Sequence, residues 1–288
     1  MVAGGEKSAL CAFADWFPTL VAGELEQARA LRHQSRETSW TDRMLLELKK
    51  LRDPRIFVQD SNERVSGADM DWHFVSHDGQ RHIQLAVQAK ILHYTKVRTP
   101  YRYDELAYPK RSGRQSRQLT NYARRQIKNR GISTYPLYLF YNPSSVEEWP
   151  CFCSPGITLA SAYRMAHHLN ASRKFSIDNK VSLQAIEFET IEPLMFCLPS
   201  IFCSDFANIP DPDDVANALA LIDAEKRAIT IDGPRPPLPK AGSRIPEEIG
   251  HIVGLMQERM ADRLFADGDD LKSPERPRVI FMSGEDRR

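Results

Sequence analysis

The chain lacks any apolar run approaching the ~18–20 residues that a membrane-spanning helix requires, so no membrane partner is expected. It has almost no net charge, with 39 Lys+Arg against 38 Asp+Glu, and a total of +1 argues against a uniformly basic nucleic-acid binder. Cysteine is sparse: five residues at irregular spacing point to free thiols in a reducing cytoplasm rather than to a disulfide framework. The first residues, MVAGGEKSALCAFADWF, hold no continuous apolar segment, and no secretory signal is expected. Internal repeats are also missing. What is present is ordinary globular composition. With 288 residues, 42% hydrophobic and 27% charged, the chain can bury a sizeable core in one large domain or in one domain with an appendage.

The charge is concentrated. Residues 96–130 carry eleven cations against Asp104 and Glu105, a local net of +9 that leaves −8 for the remainder. The block includes Lys96, Arg98, Lys110, Arg111, Arg114, Arg117, Arg124 and Arg125, with Tyr94, Tyr101, Tyr103, Tyr108 and Tyr122 interleaved. Cations at this density contact phosphates and aromatic faces stack on bases, which makes the block a candidate DNA-binding surface. A solvated helix face is the plainer alternative.

Periodicity supplies the elements. Residues 1–34 read as an N-terminal helical segment. Glu37–Leu51 has apolar positions Trp40, Met44, Leu45, Leu48 and Leu51 at helical spacing and stops before Pro54. Arg55–Gln59 reads as extended. Asp69–His77 alternates, with Asp69, Asp71, His73 and Val75 on one face, and Asp78-Gly79 marks a two-residue turn into a buried strand over Ile83–Leu92. A loop over 93–113 leads to a helix over Gln115–Asn129 capped by Gly131, then a buried strand over Tyr135–Tyr141. Further on, Gly156–Leu169 reads as helix, Val181–Glu189 and Leu194–Leu198 as extended, and Asp213–Ala228 as helix. The Pro- and Gly-rich stretch 232–246 reads as a linker, Glu247–Phe265 as an amphipathic helix and 267–288 as a mostly polar tail. The expected organisation is an α/β domain over 35–210 and a helical C-terminal extension over 211–288, serving as a cap or interaction arm.

One constellation carries chemistry. Gln88 and Lys90 share a strand face by the period of two, and an antiparallel neighbour can place Asp69 beside them. Glu37 shares a helix face with Thr41, Met44 and Leu48 and, if turned toward the sheet, needs a partner. Mg²⁺ prefers hard oxygen ligands and keeps several waters, so Asp69, the Gln88 side chain and the Ala89 carbonyl suffice to hold it. Lys90 is placed to orient the attacking water and to stabilise charge on phosphorus.

These residues resemble the PD-(D/E)xK, or restriction-endonuclease-like, nuclease superfamily. The resemblance rests on Gly67-Ala68-Asp69 and Val87-Gln88-Ala89-Lys90, preceded by Glu37, in the QxK variant of Mrr-like enzymes. Gln118-Leu119-Thr120-Asn121-Tyr122 is similar to the Gln-x-x-x-Tyr element of RecB-like nucleases. It covers roughly residues 35–142 and implies a mixed central sheet flanked by helices. It also implies a Mg²⁺- (or Mn²⁺-) dependent endonuclease acting on DNA, with Asp71, Gln118 and Tyr122 as auxiliary residues. Gln88 stands where an acid is usual, which removes one negative charge from the metal site. Cutting both strands calls for two sites, hence a homodimer. Phage defence or restriction is the expected setting, with a regulatory protein partner or activating ligand compatible with it. Two alternatives stand beside this reading: a catalytically inactive nucleic-acid-binding module on the same fold, and a protein-interaction subunit using the Glu247–Phe265 helix. Cys151-Phe-Cys153 and Cys197…Cys203 are poor matches to zinc knuckles and read as buried free thiols. His73 on its strand reads as structural, and His167-His168 as surface residues.

Overall fold

The three longest of the fully buried runs are Met70–Val75, His82–Ile91 and Thr134–Tyr141. Strands buried on both faces belong at the middle of a sheet covered by helices on each side, and the computed structural model places them there. It describes residues 7–60, 69–93, 102–103, 106, 115–145, 156–178, 186–205, 208–227, 237–262, 274 and 276–284. In chain order these form α1 (Ala9–Ala30), α2 (Glu37–Lys50), β1 (Ile56–Gln59), β2 (Met70–Val75), β3 (His82–Ile91), β4 (Arg102–Tyr103) and α3 (Gln115–Arg125). There follow β5 (Thr134–Tyr141), β6 (Ile157–Ser161), α4 (Ala162–Asp178), β7 (Ile186–Glu187), α5 (Phe188–Ile191), β8 (Met195–Cys197), α6 (Pro199–Phe202), α7 (Pro212–Arg227), α8 (Glu247–Asp262) and β9 (Arg278–Met282).

The main sheet has seven strands in the order β1-β9-β2-β3-β5-β6-β8, and β4 pairs with β7 separately. It is mixed: β9–β2 and β3–β5 run parallel, and the other pairs antiparallel. Pro136 is tolerated in β5 because the β6 ladder starts one residue later, at Leu137. One face carries Trp72, Phe74, Leu85, Val87, Leu137 and Leu139, packed against α1, α2, α6 and α7 through Phe17, Met44, Phe202 and Leu219. The opposite face is covered by α3 and α4 through Leu119, Met165 and Leu169, and by α8 through Ile249, Ile252, Val253 and Met256. Gly156 allows the β6 end to touch α1, since a Cβ there would sit 1.8 Å from the Pro18 carbonyl oxygen.

Several expectations are corrected. The polar tail contains β9, which lies between β1 and β2; the run Val279–Met282 is buried because it is a central strand. The helix α8 is not a free arm, because its apolar face is packed on β2 and β9. Residues 157–161 are a strand, with the helix starting only at Ala162. Within 181–189 the described part is the two-residue β7 and then helix, residues 181–185 being outside the described residues. The hairpin closes over Ser76–Arg81 rather than over two residues, with Gly79 at φ 68°. The helix after α3 winds as a π-helix over Gln126–Arg130 before the Gly131 cap, φ 67°. Cys11 and Cys203 form a disulfide, and Cys197 is disulfide-bonded as well, so these are not free thiols and the thiol argument for a reducing compartment falls. Cys151 and Cys153 lie outside the described residues. Among the described residues, no helix is long and apolar enough to cross a membrane.

Candidate active site

Asp69 enters the sheet just ahead of β2. Its backbone N–H donates to the Val87 carbonyl at 2.8 Å, which extends the β2–β3 ladder and sets Asp69 across from Gln88. Its carboxylate accepts from the Ala89 N–H at 2.8 Å and from the Gln88 side-chain amide. The same amide N–H reaches the Ala89 carbonyl at 3.3 Å. The three groups expected to hold a metal therefore meet around one side chain. Gln88 Oε1 is itself buried and accepts no hydrogen bond among the described residues. A buried amide oxygen without a donor is costly unless something else uses its lone pairs.

Lys90 follows on the same strand face, and its side chain is only 3% exposed. Its ammonium lies 3.2 and 3.4 Å from the two oxygens of Glu37, whose side chain is 22% exposed. Glu37 stands in the first turn of α2, where the helix dipole favours a carboxylate. Helix α2 is fixed in turn by Thr41, whose hydroxyl lies 3.3 Å from that of Tyr141 on β5. Helix start and strand end thus bring Glu37, Asp69, Gln88, Ala89 and Lys90 to one place.

Asp71 belongs to a second cluster. Its carboxylate pairs with Arg276 at 2.8 Å, just before β9. The Arg276 guanidinium also donates to the Tyr122 hydroxyl and lies 4.4 Å from the Tyr122 ring centre. Gln84 donates to the same hydroxyl at 3.2 Å and accepts from Thr134 at 3.0 Å. Burial pushes the Asp71 carboxyl above its ordinary range, against the pull of Arg276, Gln84 and Arg278. Behind it, His73 and His82 stack, with ring nitrogens 3.0 Å apart. Burial drives His73 well down and His82 down to about 4, so both are neutral at pH 7.

Tyr122 therefore joins Asp71 rather than the Asp69–Lys90 group. Gln118 is half-buried on the same helix. Of the expected DNA contacts, Lys96, Arg98, Lys110, Arg111 and Arg114 lie outside the described residues, while Arg117, Arg124 and Arg125 are exposed on α3. Among the described residues, no group of three or more His, Cys, Asp or Glu side chains converges as a metal site.

Sequence reasoning missed Tyr138 and Arg276. Tyr138 is buried across from Gln88 in the β3–β5 register, close enough that the charges of Asp69 and Glu37, after burial itself, push its phenol upward. Its signal was the strand parity of Tyr135–Tyr141. The signal for Arg276 was the apolar run Val279–Met282, which marks a strand that must bring its preceding residues along.

Comparison with protein families matches the chain to the family of unknown function DUF6615 over residues 10–288. The chain belongs to the DUF6615 family. Neither the curated proteins nor the solved structures contain a match to it. Membership spans both clusters, so Arg276 and β9 lie within the family's matched region along with Asp69, Gln88 and Lys90.

Proposed function

We propose that this chain is a metal-dependent phosphodiesterase that cleaves DNA at the Asp69–Gln88–Lys90 site. The observation that carries the reading is the meeting of Asp69, the Gln88 amide and the Ala89 carbonyl beside the Lys90–Glu37 pair. The donor set suits Mg²⁺ or Mn²⁺: one carboxylate, one amide oxygen with unused lone pairs, and one backbone carbonyl. Bound there, the ion supplies a Lewis acid for a phosphoryl oxygen and acidifies a water. Asp69 gives the metal donor set its carboxylate, and the Ala89 N–H fixes its rotamer. The Lys90 ammonium stabilises negative charge building on the phosphoryl oxygens, and Glu37 holds it in place. The surrounding wall of buried Tyr138 and Tyr141 lowers the local dielectric, which strengthens both effects.

Cleavage of both strands asks for two such sites and hence a homodimer, and defence or restriction is the setting we favour. A non-catalytic DNA-binding role is the second reading. It is favoured by Gln88, which leaves the site one charge short and already donates to Asp69. An interaction role through α8 loses support, because the apolar face of that helix is covered. Incubation of plasmid with the protein and Mg²⁺ or Mn²⁺ separates the first two readings. Nicking that stops with EDTA and with Lys90→Ala supports catalysis, and DNA binding without cleavage in any metal supports the second.

A further inference from the structure

Between α3 and α4 runs an open groove of about 170 Å³. Positions 116, 117, 120 and 124 of α3 line it at helical spacing, while Leu119 and Ala123 of the same helix face the sheet. Arg117 and Arg124 thus project into the groove, and neither is paired with an acid among the described residues. From α4 come His167 and Asn170, and none of the described lining residues is acidic. Arg124 lies over the ring of Tyr163, 5.6 Å from its centre, and the buried Tyr163 hydroxyl has no hydrogen-bond partner among the described residues. The Ser116 hydroxyl at the groove's inner end bonds to Tyr138, which is opposite Gln88. The groove therefore opens one residue away from the wall of the Asp69–Gln88–Lys90 site.

We propose that this groove is a phosphate-binding track for one strand of the DNA substrate, with Arg117, Arg124 and His167 as its phosphate contacts. The proposal rests on the phosphodiesterase reading for its choice of ligand. Two guanidinium groups and an imidazole converging without a counter-charge select a phosphate, and continuity with Gln88 through Ser116 and Tyr138 selects a strand that leads into the site. It gives α4 a part in substrate binding, and it divides the basic block. Arg117 and Arg124 hold the strand, whereas Arg125, on a different side of the helix, contributes only to the general field.

The test measures binding of a fluorescein-labelled single-stranded oligonucleotide in EDTA over a salt series, with plasmid cleavage in Mg²⁺ run in parallel. The variants are Arg117→Ala/Arg124→Ala, His167→Ala and, as an equal-charge control, Lys240→Ala/Arg259→Ala. The expected result is at least a tenfold loss of binding for the double arginine variant. Its slope of log K against log salt should be shallower by about 1.4, the value for two single-strand phosphate contacts. His167→Ala should lose several-fold and the control nothing. Wild-type binding and slope in the arginine variant overturn the groove while leaving any cleavage reading intact. Groove-dependent binding without cleavage in any metal leaves the groove standing and removes the catalytic reading. Displacement of the oligonucleotide by equimolar mononucleotide overturns the proposal in favour of a free-nucleotide site.

Discussion

His82 shows how far burial governs this molecule at the scale of one residue. It is fully buried, and its imidazole is pushed down to about 4 by desolvation. A depressed folded pKa means that the unfolded chain binds the proton first. The stabilising contribution is therefore whole above about pH 6.5 and is lost progressively as pH falls toward 4. His82 alone should make the protein about 3 kcal/mol less stable at pH 4 than at pH 7. Urea unfolding of the wild type and of His82→Gln across this range checks it: the variant's stability should fall less steeply, and parallel curves would contradict the assignment. The Asp71–Arg276–Tyr122–Gln84 cluster next to it was only partly legible. Asp71 follows from strand parity, but its partner is more than two hundred residues away in sequence and no local pattern announces such a pairing.

At the scale of elements, the close approach of β6 to α1 depends on Gly156. An added methyl would meet the Pro18 carbonyl and the Ala22 side chain, so Gly156→Ala should cost about 2–3 kcal/mol through forced separation of the two elements. A thermal midpoint within a degree of wild type would contradict this. The strand β9 gives a second outcome. A chain ending at Pro277 removes a strand from between β1 and β2, and should yield no cooperative unfolding transition. A soluble, cooperatively folded truncation would restore the reading of 267–288 as a tail. Helices α1, α2, α7 and α8 and strands β2, β3 and β5 were readable because each has a full period of buried positions. Ile157–Ser161 was not, because five apolar and small residues running directly into a helix carry no break that separates the two periods. The β9 reading failed on flanking composition, where charged neighbours masked a short apolar run.

Across the whole molecule, the net charge of +1 conceals a basic segment inside an acidic chain. Within the described part of that segment, α3 packs on the sheet face that also carries Gln88 and Lys90. Under the proposed function, the Arg117 and Arg124 cations of α3 supply attraction to phosphate beside the site. The seven-stranded sheet draws residues from 56 to 282 into one layer, so the Asp71–Arg276 cluster beside the site is assembled from both ends of the chain. The Cys11–Cys203 disulfide ties α1 to the end of α6 across the same core. The proposed function assigns metal-dependent hydrolysis of DNA to Asp69 and Lys90. Its most direct test is single-turnover cleavage of supercoiled plasmid in Mg²⁺ by the wild type, Asp69→Asn and Lys90→Ala, each first shown to be folded by circular dichroism. We predict that the wild type cleaves and that EDTA stops it, with each variant slower by roughly a hundredfold or more. Equal rates for the wild type and both folded variants, or no cleavage by the wild type in Mg²⁺ or Mn²⁺, would contradict it.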